Sequence, residues 1–297
     1  MVEDPNSQAI RLAAFEWLNS KLDNTDYVID WSSLVNDFKF KGETIKLIGA
    51  KGIWKPKQIK EFPISITSVQ DRYEDEIISD DLIKYSYRGT DPNHFDNVGL
   101  REAMKSQIPL IYFHQVLKGR YVVAWPVFIV ADSPSELKFT VSAESRAVIG
   151  DSLASEPIGE YQSKYQTRQV KMRLHQSSFR ELVLKAYRDH CAICNLKHRS
   201  LLDAAHIVPD SKGGIPQVNN GLSLCKIHHA AYDQNILGIN PDYIIEVRED
   251  ILKEVDGPML KHGLQEMNKS KLILPRREGD RPNRDYLDQR YQIFKSA

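Results

Sequence analysis

The chain of 297 residues contains only three cysteines and no apolar run long enough to cross a bilayer. We find no signal peptide at its N-terminus, no internal repeat and no low-complexity tract. These absences argue against a disulfide-stapled secreted protein and against an integral membrane protein. We therefore expect a globular cytoplasmic protein, without a membrane partner and long enough for two domains.

An excess of charge of one sign is also missing, because 40 basic side chains balance 40 acidic ones. The charges are nevertheless segregated along the chain. Acidic residues cluster between Asp71 and Asp81. A basic belt lies between Ser163 and His190 and consists of Lys164, Arg168, Lys171, Arg173, Arg180, Lys185 and Arg188. Such a belt is typical of a surface that meets a polyanion, although a solvated linker and helix face is the alternative.

All three cysteines fall in two short motifs with metal-binding spacing. Cys191 and Cys194 form C-x-x-C, and Cys225 and His228 form C-x-x-H. Thiolate and imidazole donors in such pairs are typical of a closed tetrahedral zinc site. The spacing therefore predicts a structural Zn²⁺ held by these four side chains, with an exchange of roles between His228 and His229 left open.

The segment between the two motifs carries polar side chains that suit metal-assisted hydrolysis. They are Asp203, His206, Asn219, Asn220, His229 and Asp233. His206 follows an apolar stretch, Leu201 to Ala205, which predicts a short strand. Gly213 and Gly214 predict a tight turn to a second strand. A zinc ribbon that binds DNA or protein without catalysis is the competing class, but it does not require these residues at these positions.

This segment resembles the HNH, or ββα-metal, nuclease motif. The resemblance implies that His206 is the general base, a role that a neutral imidazole can fill near pH 7. It implies that Asn220 fixes the loop carrying the base. It also implies that His229 and Asp233 hold one catalytic cation, Mg²⁺ or Mn²⁺, from one face of a helix predicted from about Leu222. His206, Asn220 and His229 are thus the expected catalytic residues.

The segment departs from the commonest family pattern at the residue before the base. A histidine or aspartate in that place often binds the cation, whereas Ala205 has no ligand atom. Asp203 lies two residues earlier, on the same face of the predicted strand. We expect Asp203 either to supply the missing oxygen ligand or to orient another ligand.

The N-terminal half has the character of a sheet. Ser7 to Leu22 predicts a helix that Ser7 caps. Between Thr44 and Ser142, β-branched and aromatic runs broken by Gly and Pro predict an antiparallel or mixed sheet, closed or strongly curved. Leu117 to Arg120 predicts a tight hairpin within it.

The chain is expected to divide into a reading domain (1–155), a linker (156–176) and a nuclease domain with a helical extension (177–297). Gly, Ser, Pro and Gln without apolar periodicity indicate the linker. A helix is predicted over Ser178 to Arg188, with Ser178 and Glu181 as a capping box.

The segment from Tyr85 to Met104 places hydrogen-bonding aromatic rings beside charged and turn-forming residues. It is similar, more weakly, to SRA domains, which precede HNH nucleases in bacterial modification-dependent restriction endonucleases. The similarity implies that 5-methylcytosine, or another 5-modified cytosine, is flipped out of the duplex, with Tyr85 and Tyr87, or only one of them, as the stacking ring and Asp91 as the carboxylate that pairs with it. The alternative is that both tyrosines are half-buried strand residues and that Asp91 forms a turn.

The expected fold class is α+β, with an N-terminal SRA-like curved β-sheet or barrel domain and a C-terminal ββα-metal HNH domain with structural zinc. The expected function is modification-dependent cleavage of double-stranded DNA in a prokaryotic cytoplasm, by a homodimer because one site per chain must cut two strands. Expected DNA contacts are Arg88, Arg101, Lys171 and Arg173. The alternatives are an HNH nuclease for an unmodified sequence, a nicking enzyme and a non-cutting binder of modified DNA.

Overall fold

The structure is a computed structural model that describes residues 3–22, 27–69, 77–79, 82–143, 176–209 and 212–297. It divides into two compact units, Met1–Ser178 and Phe179–Ala297. The acidic cluster and the predicted linker, apart from Gln176, lie outside the described residues. Within the described part of the chain, no helix is both long and apolar enough to cross a membrane.

The N-terminal unit is built on one mixed sheet of eight strands, curled into a half-barrel. Strand β5 pairs with β8 in parallel, and the other pairings are antiparallel. The strand order is β4-β5-β8-β9-β10-β7-β6, and β1 also pairs with β9. The strands of the unit are β1 (Val28–Asp30), β2 (Lys39–Phe40), β3 (Glu43–Thr44), β4 (Ile53–Trp54), β5 (Ser65–Val69), β6 (Ile77–Ser79), β7 (Leu82–Ser86), β8 (Leu110–Leu117), β9 (Arg120–Ser133) and β10 (Lys138–Ser142), with β2 and β3 forming a separate hairpin.

Helices cover both faces of this sheet. Helix α1 (Pro5–Leu22) contributes its apolar stripe to one core, and helix α3 (Phe95–Lys105) contributes to the other. A short helix, α2 (Trp31–Asn36), follows β1. Burial on both faces explains why β8 and β9 are apolar along most of their length rather than alternating with polar residues.

Two local predictions in this unit have different outcomes. The hairpin at Leu117–Arg120 is confirmed, because these two residues pair across a two-residue turn in which Gly119 adopts φ +78°. The cap of α1 was assigned to the wrong residue. Asp4 Oδ2 accepts from the backbone N–H groups of Asn6 and Ser7, at 3.2 and 3.3 Å, whereas Ser7 is buried inside the helix.

The C-terminal unit centres on a strand pair followed directly by a helix. Helix α4 (176–186) leads to strands β11 (Leu202–His206) and β12 (Gly221–Cys225), and helix α5 (Lys226–Asp233) follows. The remaining elements are β13 (Leu237–Ile239), β14 (Ile245–Val247), α6 (Glu249–Lys253), α7 (Pro258–Gly263), α8 (Arg284–Ser296) and 3-10 turns at Arg199–Leu201, Val218–Asn220, Gln265–Met267 and Glu278–Asp280.

Three boundary predictions in this unit are wrong. The helix expected from about Leu222 begins at Lys226, because Gly221–Cys225 pairs with β11 as a strand. The strand pair is joined by residues 207–220 rather than by a tight turn at the two glycines. Ser178 lies inside α4, and Glu181 is buried and accepts from Arg199 at 2.5 Å instead of closing a capping box.

Candidate metal centre and active site

The four predicted zinc ligands come together in one cluster. The ligand atoms of Cys191, Cys194, Cys225 and His228 all lie within 4.8 Å of one another. His228 Nδ1 faces the cluster, 3.2 Å from Cys225 Sγ, and its Nε2 donates to the carbonyl of Gly263 at 2.7 Å. A ring nitrogen held by such an outer hydrogen bond is typical of a histidine that binds metal through the other nitrogen. The donor set and its compactness fit a tetrahedral zinc ion.

The backbone around the cluster explains why these residues converge. Cys225 ends β12 and precedes the first turn of α5, so Cys225 and His228 lie one turn apart. The knuckle at Cys191 is closed by its N–H donating to Leu196 O at 2.9 Å. Hydrogen bonds from Cys191 and Cys194 lower the pKa of Cys225 well below its usual range, against the opposing effect of burial. A thiolate is the form that binds zinc.

A second polar cluster lies on the strand pair and α5. Asp203 Oδ2, on β11, lies 3.3 Å from His229 Nδ1 on α5, and His229 Nε2 lies 3.3 Å from Asp233 Oδ2 one turn later. Lys226 Nζ contacts the other oxygen of Asp203 at 2.6 Å. The structure therefore brings together Asp203, His229 and Asp233, and it places His229 outside the zinc cluster.

Asp203 and His229 stabilise each other's charged forms. The hydrogen bond with His229 lowers the pKa of Asp203 to about 2, helped by Lys226 and opposed by burial. The same hydrogen bond raises the pKa of His229, and the nearby Asp233 carboxylate adds to the effect. These side chains carry oxygen and nitrogen donors of the kind that bind divalent cations, and each carboxylate faces a different nitrogen of the imidazole.

His206 is placed by a different contact. It ends β11, opposite Gly221 of β12, and its ring stacks on the ring of Phe179 from α4. The ring centroids are 3.9 Å apart with an interplanar angle of 14°. The His206 side chain is partly exposed, which is compatible with contact to a substrate.

Asn220 holds the loop that follows His206. The side chain is fully buried; its Oδ1 accepts from Val208 N at 2.9 Å, and its Nδ2 donates to the carbonyls of Val208 and Ile215 at 3.0 Å. Gly214 lies against the same loop, because a Cβ there would come within 1.9 Å of Val208 O. Three hydrogen bonds from one buried amide fix the backbone after the strand end.

The proposed base-reading residues do not form an open pocket in the described structure. Tyr85 lies on β7 and Tyr87 just after its end, and both rings are buried in the same core of the sheet. The Tyr87 hydroxyl donates to Asp132 and accepts from Arg101 at 3.1 Å, while Arg101 Nε contacts Asp132 at 2.6 Å. Burial, followed by the hydrogen bond to Asp132, raises the pKa of Tyr87.

The other predicted DNA contacts have varied surroundings. Asp91 is exposed and its Oδ1 accepts from Asn93 N at 2.9 Å, which is the turn alternative. Arg88 pairs with Asp96. Arg101 is committed to the Tyr87–Asp132 contact, and Lys171 and Arg173 lie outside the described residues.

An exposed aromatic ring near this segment was not predicted as a contact. Phe95 is 68% exposed at the first turn of α3, with the His94 ring 4.5 Å away. Lys51 Nζ and the Arg88 guanidinium each lie 5.7 Å from its centroid. Phe95 falls outside the buried stripe of the helix, which is formed by Asn97, Leu100 and Ala103. That mismatch is the sequence signal that distinguishes it from a core residue.

The segment that carries both clusters matches a known protein family. Residues 191–240 match the family model described as HNH endonuclease. No curated protein matches the chain. Among solved structures the chain is similar to a modification-dependent restriction endonuclease, TagI, at 14% identity and a TM-score of 0.30, covering 78% of this chain and 82% of that one. It is also similar to a Type IV phosphorothioation-dependent restriction endonuclease, ScoMcrA, at 15% identity and a TM-score of 0.24, covering 61% and 50%.

TM-scores this low do not establish a shared fold or function. The match to the family model is therefore the basis for identifying the domain. That match spans both zinc motifs, the strand pair and helix α5. Residues 191–240 are accordingly an HNH endonuclease domain, and the protein is a metal-dependent nuclease.

Proposed function

We propose that the protein is a DNA endonuclease of restriction type that reads modified cytosine and hydrolyses phosphodiesters with His206 as general base. The contact of Asp203 with His229, at 3.3 Å, is the observation that carries the catalytic part. It joins the strand that ends at His206 to the helix that follows the zinc motif. The imidazole of His229 lies between the carboxylates of Asp203 and Asp233, and Asp203 lies on the strand that carries the proposed base.

In this proposal Asp203, His229 and Asp233 hold Mg²⁺ or Mn²⁺, and the cysteine-rich cluster holds structural zinc. The catalytic cation supplies stabilisation of the charge that develops on the phosphate and on the leaving oxygen. His229 must release its proton to act as a ligand, since both ring nitrogens face carboxylates. Asp203, ionised down to low pH, is ready to bind the cation throughout the neutral range.

His206 takes the proton of the attacking water in this scheme. Its ring is partly exposed at the end of β11, and a neutral imidazole can accept a proton from water. Asn220 supports the base by pinning residues 208 and 215 of the loop that follows it.

The N-terminal unit is proposed to read the DNA, with 5-methylcytosine or another 5-modified cytosine as the first candidate mark. The resemblance of the Tyr85–Met104 segment to modified-base readers supports this proposal. The exposed ring of Phe95, beside Lys51 and Arg88, adds a surface on which a base can stack. Arg88 is partly neutralised by Asp96, so Lys51 is the better candidate for a phosphate contact.

A second candidate function is cleavage at an unmodified sequence. The burial of Tyr85 and Tyr87 in the sheet core favours this alternative, because rings in the core cannot stack on a flipped base without rearrangement. Cutting both strands with one site per chain favours a homodimer in either case, and a mass measurement in solution tests it.

Cleavage of matched plasmids tests both parts of the proposal. The plasmids are identical in sequence and carry unmodified DNA, 5-methylcytosine, 5-hydroxymethylcytosine or phosphorothioate links, and each is incubated with Mg²⁺, Mn²⁺ or EDTA. We expect cleavage of cytosine-modified plasmid that EDTA abolishes. His206→Ala should lower the rate by about a hundredfold to ten-thousandfold with DNA binding retained.

Each other outcome of this assay has a definite meaning. Equal cleavage of all plasmids would reject the modified-base part and support the unmodified-sequence alternative. Binding without cleavage under every condition would support a non-cutting binder. Nicked rather than linear product would support a nicking enzyme, and near-normal cleavage by a stable His206→Ala protein would reject His206 as the base.

A further inference from the structure

The proposed base is in parallel contact with a second ring. Phe179, on α4, is 3% exposed, and its ring lies over the imidazole of His206 with centroids 3.9 Å apart and planes 14° from parallel. This is a close, nearly parallel stack between a core ring and a partly exposed one.

The strand opposite His206 has a glycine at the position where helix α4 packs against it. Gly221 is the cross-strand partner of His206. A Cβ at position 221 would lie 2.4 Å from Val183 Cγ2 and 2.8 Å from Phe179 Cζ. Helix α4 therefore packs closely on the strand pair at the position of the base, and only a residue without a side chain leaves room for it.

The stack restricts rotation of the His206 ring about its χ2 angle, which the backbone conformation does not fix. The χ2 angle of histidine is a broad sp³–sp² torsion, so the ring plane is not determined by a staggered rotamer. Asn220 fixes the loop after His206 but makes its side-chain hydrogen bonds to Val208 and Ile215. The face of Phe179 lies against the imidazole and restrains its plane, which contains the direction of its nitrogen lone pair.

Core packing alone is the simpler explanation for a buried phenylalanine, and Val183 separates the two explanations. Val183 lies one turn after Phe179 on α4, is fully buried and also lies against Gly221. It shares the packing role of Phe179 and has no ring to stack on His206. A defect specific to Phe179 therefore reports on the stack.

We propose that Phe179 is a positioning residue that holds the His206 imidazole in the plane required for proton transfer from water. The inference rests on the proposed function, in which His206 is the general base. A general base must lie within hydrogen-bond reach of the proton and be aimed at it, so a rotated ring lowers the rate of chemistry without weakening DNA binding.

The experiment uses full-length protein in single-turnover cleavage at saturating enzyme, with DNA affinity measured in Ca²⁺ and thermal stability measured alongside. Phe179→Leu should lower the cleavage rate constant by about 10- to 100-fold with unchanged DNA affinity. Phe179→Trp, which restores a stacking face, should recover most of the rate. Val183→Ala should lose stability while its rate constant stays within about twofold of wild type.

A double-mutant comparison tests whether Phe179 acts through His206. In a His206→Ala background, Phe179→Leu should cause no further loss beyond about twofold, because the group it positions is gone. Losses that multiply, or a Phe179→Leu rate equal to that of Val183→Ala, would overturn the inference while leaving the proposed function intact. Near-normal cleavage by His206→Ala would overturn both.

The ring protons of His206 give a readout that does not require activity. A ring stacked face to face shields them, so their NMR signals, assigned by their loss in His206→Ala, should lie upfield in the wild type. They should move downfield in Phe179→Leu and stay upfield in Phe179→Trp. Signals that do not respond to Phe179→Leu would contradict the stack itself.

Discussion

His229 Nδ1 lies 3.3 Å from Asp203 Oδ2, although the two residues are 26 positions apart in the chain. The contact forms because β12 returns antiparallel to β11 and α5 starts at the next residue. It gives Asp203 a place in the proposed cation site that its position in the sequence alone left undecided.

Asp203→Asn is expected to weaken binding of the catalytic cation. The substitution removes a negative oxygen donor, so we expect about 10- to 100-fold weaker Mn²⁺ binding and a corresponding loss of cleavage at limiting metal. Calorimetric titration with Mn²⁺ measures the affinity. Lys226→Gln is the matched control: Lys226 contacts the other oxygen of Asp203, and its loss should leave Mn²⁺ affinity unchanged or higher. Equal Mn²⁺ binding by Asp203→Asn and wild type would remove Asp203 from the site.

The Asp203–His229 pair should give stability in a defined pH range when zinc is bound and no other divalent ion is added. The pKa of Asp203 is lowered from 3.8 to about 2, so its contribution is present above pH 3.8 and is lost as the pH falls toward 2. The pKa of His229 is raised above 6.5, so its contribution is present below pH 6.5 and is lost as the pH rises through the raised value. The pair therefore stabilises most between pH 3.8 and 6.5.

Thermal melts of zinc-bound wild type and Asp203→Asn from about pH 5 to 9 measure the upper side of this range, since acid releases zinc. The difference in melting temperature should be largest at the acidic end and should shrink as the pH rises through the raised pKa of His229. A difference that is constant with pH would mean that the pair is not charged as described.

Removal of a zinc ligand should unfold the C-terminal unit. Structural zinc contributes on the order of 10 kcal/mol or more in small modules, and its ligands here join the knuckle at Cys191 to the start of α5. We expect about one zinc per chain in wild type by elemental analysis, and loss of both zinc and cooperative melting in Cys194→Ala. His198→Ala, which alters an exposed histidine near the same knuckle, should keep both. A folded, active Cys194→Ala protein would refute the zinc assignment.

Phe95→Ala should weaken DNA binding by the catalytically inactive His206→Ala protein. A base stacked on an aromatic ring contributes about 1–3 kcal/mol, so removal of the ring should lower affinity by about 5- to 150-fold. Leu12→Ala, an exposed apolar residue of the same unit, is the control. Fluorescence anisotropy with modified and unmodified duplexes measures both the affinity and the preference.

Tyr87→Phe tests in the same assay whether the Tyr87 hydroxyl takes part in reading the base. This change removes the hydroxyl that contacts Asp132 and Arg101 while keeping the ring. If Tyr87 is a core residue, the substitution should lower stability and leave the preference for modified DNA unchanged. Loss of the preference with Tyr87→Phe, and none with Phe95→Ala, would restore Tyr87 as a base contact.

The metal-binding part of the molecule was predictable from sequence because its chemistry is local. Cys225 and His228 lie within one helical turn, and a C-x-x-C knuckle closes on itself, so spacing alone indicates the ligands. Asn220 was predictable as a loop-fixing residue through the HNH resemblance, and its three hydrogen bonds are consistent with that expectation. The start of α5 was misplaced because the apolar run at Gly221–Cys225 suits a buried strand and a buried helix equally well.

The sequence did not predict which aromatic residues of the N-terminal unit are buried and which are exposed. Tyr85, Tyr87 and Phe95 lie in one polar, turn-rich segment, and composition does not distinguish a ring in the core from a ring on the surface. Whether each ring is buried depends on β10, which pairs with β7 from later in the chain, and on how α3 of the same segment packs against the sheet. Phe95 was left exposed because it lies off the buried stripe of α3.

The sequence by itself determined the four residues of the metal-binding cluster, the division of character between the two halves and the set of polar residues from which the proposed nuclease site is built. These depend on short-range spacing and on residue chemistry, which a linear chain displays directly. Only the tertiary structure decided that Asp203 meets His229, that Phe179 covers His206 and that two tyrosines proposed as base contacts lie in a core. Those relationships arise from strand register and from the packing of helices on strands. Both bring together residues that are distant in sequence, so local sequence patterns do not reveal them.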